Sequence, residues 1–195
     1  PGHSSAASDV YKRQPIFQEG RCWSWGVDKE QLHYRDARGS LTLPLPRLLG
    51  AHQCANAALA VACLRHQSSL EVSEEALAQG IEEAQWPARM QRLEHPHFRL
   101  YLDGGHNADA AVAVASALEG LSHNGCKVHL VLGLLKNKDL DAYLRPFKDR
   151  VSALHAIEIE GEVCHSTDAI ANAADRAFIP YERHSTYQDA LNHLE

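Results

Sequence analysis

The residues best suited to chemistry are Asp103-Gly104-Gly105-His106-Asn107. Two adjacent glycines let the backbone turn sharply or come close to another molecule. Asn107 can cap a following helix by accepting a backbone N–H bond. The start of such a helix aims free N–H groups and the positive end of the helix dipole at one point, which suits a phosphate or another anion. Asp103 would stand at the end of the preceding strand, where a carboxylate can accept hydrogen bonds from a hydroxylated ligand such as a ribose. The plain alternative is a well-made strand-to-helix turn, and the pentapeptide alone does not separate the two.

The flanking residues supply the elements that such a turn needs. Phe98, Leu100 and Leu102, with Tyr101 among them, read as a short buried strand over 98–102. Ala111, Val112, Val114, Ala115, Leu118 and Leu121 give the apolar face of a helix over 107–121. The alternation then repeats. Strands are expected at 127–132, 153–159 and 180–184, with helices at 139–147, 166–178 and from Thr186 onward. Strands separated by helices of this length imply an α/β fold with a mainly parallel sheet. Ligands of such sheets lie beyond the carboxyl ends of the strands, which points to Asp103–Asn107 and to the loop Leu135-Lys136-Asn137-Lys138-Asp139.

The region before Arg89 has a different pattern. Short strands are expected at 16–17, 21–25 and 31–34, with turns at 26–29 and 36–39 and an extended segment over 41–46. Ala55, Ala58, Leu59, Ala62 and Cys63 fall on one face of a helix from Ala51 to about His66. Ser73 caps a second helix that Trp86-Pro87 closes near Gln85. Residues 1–14 are small, polar and aperiodic, and read as a disordered or non-native arm.

Composition narrows the function classes. The chain has 195 residues, 45% of them hydrophobic and 23% charged, with a formal net charge of −6. That balance and the lack of a basic cluster argue against nucleic acid as a partner, and no apolar run has the length of a membrane span. Five widely spaced cysteines without a Cys-x-x-Cys pair fit a cytoplasmic protein with reduced, mostly buried thiols. Thirteen histidines show no metal-ligand spacing, so most are expected at the surface and no metal ligand is expected. The chain opens on Pro1, has Met90 as its one methionine, and stops at Glu195 within a helical pattern. The expectation is a piece of a longer protein.

Several blocks occur in order: 43–53 (Leu-Pro-Leu-Pro-Arg-Leu-Leu-Gly-Ala-His-Gln), Asn56-Ala57-Ala58, Trp86-Pro87-Ala88-Arg89-Met90-Gln91, Leu102 to Asn107, and Lys136-Asn137-Lys138-Asp139. Together they resemble the later part of the bifunctional dihydrofolate synthase/folylpolyglutamate synthase family, within the Mur ligase superfamily. The resemblance covers about Ile16 to Glu195. It implies a Rossmann-like carboxyl-terminal domain over 87–195, truncated at its end, preceded by a small α+β tail of the central ATP-binding domain over 15–86. It also implies a reaction in which ATP activates a dihydropteroate or folate carboxylate as an acyl phosphate, which the amine of L-glutamate then attacks. By similarity Asn56 contacts adenine, Arg89 reaches the ATP phosphates, and Asp103 holds the ribose, with Gly104 and Gly105 in the turn. His106 would face the phosphate and the incoming glutamate as the catalytic residue, while Lys136, Asn137 and Lys138 would serve substrate binding.

ATP and Mg²⁺ are the implied cofactors, and the whole enzyme would be a monomer. The family's Gly-x-x-x-x-Gly-Lys-[Ser/Thr] phosphate loop is missing from these residues, and its Mg²⁺ ligands are expected upstream. Ala108 stands where the family usually has proline. The chain by itself is therefore expected to be inactive. Two other readings stay open: a ligase acting on muramyl peptides, and a Rossmann-like nucleotide-binding module without ligase activity.

Overall fold

The computed structural model describes residues 15–121 and 126–194, so the expected arm over 1–14 lies outside the described residues. The chain forms two compact units, one from residues up to Leu48 with His52–Gln85, the other from Leu49–Ala51 with Trp86 onward.

The first unit is an antiparallel meander covered by two helices. Strands β1 (Trp23–Asp28), β2 (Gln31–Asp36) and β3 (Gly39–Pro44) pair in sequence order, with Trp25 opposite Tyr34 and Tyr34 opposite Leu41. Gly26-Val27-Asp28, expected as a turn, belongs to β1, because Gly26 pairs with His33 and the chain reverses at Lys29 and Glu30 instead. Both of those residues have positive φ, as a two-residue hairpin requires. Period-2 alternation places Leu32, Tyr34, Leu41 and Leu43 on one face. They pack with Ala58, Val61 and Ala62 of α1 (Ala51–His66) and Leu77 and Ile81 of α2 (Glu74–Glu83). Ser73 caps α2 by accepting from Ala76 N–H at 3.2 Å.

The face of α1 is rotated from the expected one: Val61 is buried, whereas Leu59 and Cys63 are exposed. All five cysteines are free and none is fully buried, which corrects the expectation of buried thiols. At the end of α1 the Arg65 guanidinium donates to both oxygens of Asp36, at 2.7 and 2.8 Å.

The second unit is α/β. Strands β6 (His129–Leu132), β7 (Ala153–Ala156) and β8 (Tyr181–Arg183) form a parallel sheet in sequence order. Its crossovers are α4 (Leu140–Leu144) with a following 3₁₀ turn Arg145–Phe147, and α5 (Thr167–Arg176). Asp139 caps α4 and Ser166 caps α5, while Pro146 falls in the 3₁₀ turn where α4 stops. One sheet face, with Leu132, Leu154 and Ala156, joins Ala111, Val114 and Ala115 of α3 (Ala108–Leu121), together with Phe147 and Ile170, in a single core. Helix α6 (Tyr187–His193) follows β8 and begins with a capping box between Thr186 and Asp189.

The strand before Asp103 departs from expectation. Strand β5 (Leu100–Leu102) is not part of the parallel sheet; it pairs antiparallel with β4 (Gln91–Leu93). Nor is it buried as expected. Tyr101 packs against the core, while Leu102 is 46% exposed. Among the described residues no helix is long and apolar enough to cross a membrane.

Candidate functional site

Pairing of β4 with β5 sets Leu102 opposite Gln91 and delivers Asp103 beside the segment Ala88-Arg89-Met90. Asp103 Oδ2 accepts from Met90 N–H at 2.8 Å, and Oδ1 accepts from Gly105 N–H at 2.7 Å. Gly104 N–H donates to the Ala88 carbonyl at 2.8 Å. One carboxylate thus fastens its own turn and the segment upstream. Ala88 and Met90 both have positive φ, which side-chain-bearing residues rarely adopt, and these bonds hold them there. Met90 is buried in the core of the second unit, while Arg89 between the two fastened residues is exposed.

Only glycine fits at position 105, where a Cβ would stand 2.8 Å from Asp103 Oδ1 and 2.9 Å from Ala110 Cβ. Gly104 is exposed, and a Cβ there would meet Ala88 at an ordinary 3.5 Å. Asn107 caps α3, its Oδ1 accepting from Ala110 N–H at 2.8 Å. His106 is exposed, with Nδ1 at 3.3 Å from the Gly104 carbonyl. The turn therefore presents Arg89, Gly104 and His106 on a backbone that Asp103 and Gly105 hold. Each Asp103 oxygen keeps a second lone pair for a further donor.

Sequence reasoning missed Tyr143. It is buried in α4, and burial first, then the nearby charge of Asp103, pushes its phenol up to about 12. No motif marks it, since it lies 40 residues from Asp103 in a helix that reads only as amphipathic.

The remaining sequence candidates are Asn56 and the 136–138 loop. Asn56 is exposed on α1 of the first unit, its amide donating to Gln53 Oε1 at 3.0 Å. Lys136, Asn137 and Lys138 follow β6. Lys136 N–H donates to the Val163 carbonyl, and the Lys138 carbonyl lies 2.9 Å from His165 Nε2, which fixes the loop backbone. Lys136 and Asn137 are exposed and Lys138 is half-buried.

A parallel three-stranded sheet, helical crossovers and a polar turn opening a capped helix define the class. Residues 88–195 match the glutamate ligase domain of the Mur ligase family, and the chain belongs to that family. Among curated relatives, it is 37% identical over 165 residues to the dihydrofolate synthase/folylpolyglutamate synthase of Escherichia coli (strain K12), covering 83% of this chain and 37% of that protein. Among solved structures, E. coli FolC in complex with DHPP and ADP superposes with a TM-score of 0.82 at 28% identity, covering 99% of this chain and 45% of the other. A bifunctional folylpolyglutamate synthase/dihydrofolate synthase with Mn, AMPPNP and L-glutamate bound gives 0.81 at 26% identity, over 96% and 43% of the two chains. This chain spans less than half the length of these relatives.

Proposed function

We propose that this chain is the glutamate-adding part of an ATP-dependent ligase that joins L-glutamate to dihydropteroate or folate. The observation that carries the reading is the double use of Asp103, which locks Met90 and Gly105 and so presents Arg89 and His106 on one rigid turn. Support comes from relatives named for this activity and from neighbours whose bound molecules are DHPP with ADP, and AMPPNP with Mn and L-glutamate.

In this reading ATP first phosphorylates the acid. The glutamate amine then attacks the acyl carbon through a tetrahedral intermediate, and phosphate leaves. Such chemistry needs positioning and charge neutralisation more than a protein nucleophile. The Arg89 guanidinium suits phosphate oxygens, since its fork of donors can bind two at once. Asp103 accepts from ribose hydroxyls on the lone pairs its backbone partners leave open. His106 lies beside the N-terminus of α3, where phosphate and the incoming amine would meet, and is the catalytic candidate. Asn56 carries its adenine role from the sequence resemblance. Lys136, Asn137 and Lys138 supply charge and amide donors for the carboxylates of glutamate.

The family implies a divalent metal with the nucleotide. Among the described residues the one group of three or more potential metal ligands contains two imidazoles, whereas Mg²⁺ with a nucleotide takes one or two carboxylates together with phosphate oxygens and water. The 195 residues also hold no phosphate-loop motif, and the chain alone is predicted not to turn over.

Amide NMR with three amino acids tests the substrate class. L-glutamate is expected to shift His106 and the 136–138 amides, with D-glutamate and L-alanine leaving them in place. An equal or stronger response to D-glutamate or L-alanine would favour a muramyl-type ligase instead.

A further inference from the structure

The second face of the parallel sheet carries an unusual group of side chains. His129 on β6, His155 on β7 and Glu182 on β8 point the same way, because Val131 pairs with His155 and His155 with Glu182. His184 follows β8 on the same side, and α6 brings in His193. His155 is 1% exposed. Its Nε2 lies 2.9 Å from His129 Nδ1, and its Nδ1 lies 2.9 Å from His184 Nε2. Glu182 Oε2 is 3.9 Å from His184 Nε2 and 2.9 Å from His193 Nε2. Among the described residues His155, Glu182 and His184 are the one set whose ligand atoms all lie within 4.8 Å of one another.

We propose that His155, Glu182 and His184 form a binding site for a divalent transition cation of the Zn²⁺ type, with His193 at its fourth position. Two imidazoles and one carboxylate are a donor set that Zn²⁺ accepts in tetrahedral geometry. Around such an ion, with bonds of about 2.05 Å, ligand atoms lie about 3.3 Å apart and imidazole centres about 5 Å apart. The ring centroids of His155, His184 and His193 are already 5.1, 5.4 and 5.8 Å from one another. Opening the 2.9 Å contact between His155 and His184 by a few tenths of an ångström makes room for the ion.

The surroundings suit ligation. A metal-bound histidine normally donates its other ring N–H to a neighbour that fixes its tautomer. His129 Nδ1 is placed to accept that bond from His155 Nε2–H while His155 Nδ1 faces the ion. The proton on His184 Nε2 exchanges through solvent to its Nδ1, so a neutral ring becomes a ligand without net loss of a proton. Burial, reinforced by neighbouring imidazoles, holds His155 below the usual imidazole value, in the neutral form that binds metal. An ion here would tie α6 to β7 and β8. The site involves neither the Asp103 turn nor the 136–138 loop.

Zinc itself is the probe. The tag-free chain is titrated with Zn²⁺ in competition with a chromophoric chelator, with thermal unfolding followed in parallel. One equivalent is expected to bind and raise the unfolding temperature by several degrees. Glu182→Gln, at an exposed position that spares the fold, and His184→Ala should each weaken binding at least tenfold, while His33→Ala in the first unit leaves it unchanged. Absence of a saturable equivalent would overturn the proposal. So would affinity in Glu182→Gln and His184→Ala that matches the unsubstituted chain, which would leave these rings as an imidazole chain held only by shared protons.

Discussion

Gly105 is the residue on which the candidate site turns most tightly. Its missing side chain leaves room for the Asp103 carboxylate on one side and Ala110 on the other. Gly105→Ala is expected to cost about 1–3 kcal/mol of the second unit's stability, because backbone or carboxylate must move to admit the methyl. Gly104→Ala should cost less than about 1 kcal/mol, since its Cβ meets nothing closer than 3.5 Å. Chemical denaturation monitored on the second unit separates the two, and equal costs would contradict the packing described. Sequence alone marked 103–107 as a turn opening a helix, and that is how it folds. It could not show that Asp103 is shared with Met90, because that partner lies thirteen residues upstream in a stretch with no periodic pattern. His155 is a similar case: no local spacing relates residues 129, 155, 184 and 193, and only the parallel register brings them together.

At the scale of elements, legibility followed contrast between apolar and polar positions. Helices α2, α5 and α6 were readable because Ser73, Ser166 and Thr186 cap them. The face of α1 was misread because alanines stand on every side of it, so Val61 and Leu59 could each have faced inward. Strand β4 was invisible: Gln91-Arg92-Leu93 has too few residues to alternate, and its pairing drew β5 out of the parallel sheet. In the first unit, long-range charge anchors α1. Bonds from Arg65, joined by the Arg38 N–H, hold the Asp36 carboxyl at about 2, below its ordinary 3.8. A depressed carboxyl stabilises the fold fully above its unfolded value, and that stability is lost as pH falls through about 2. The shift corresponds to about 2 kcal/mol. Unfolding of the first unit measured from neutral pH downward should show this loss, and Arg65→Ala should remove most of it. An unchanged acid profile in that variant would mean the pair does not carry the linkage.

Across the whole molecule, two cores form from two different sequence patterns: a β-meander under helices before Gln85, and alternating strands and helices after it. The alternation was plain in the sequence, and membership of the Mur ligase family agrees with it. The second unit is proposed to hold a nucleotide at the turn that Asp103 fastens. Amide NMR of the chain titrated with ADP tests it most directly. Shifts are expected at Arg89 and at Gly104 through Asn107. Asp103→Asn keeps one carbonyl acceptor but removes the charge and sets an amide N–H₂ against the second backbone N–H, so it should weaken ADP at least tenfold while loosening the turn between Met90 and Gly105. ADP-induced shifts confined to other residues, or an affinity that Asp103→Asn leaves unchanged, would contradict the account.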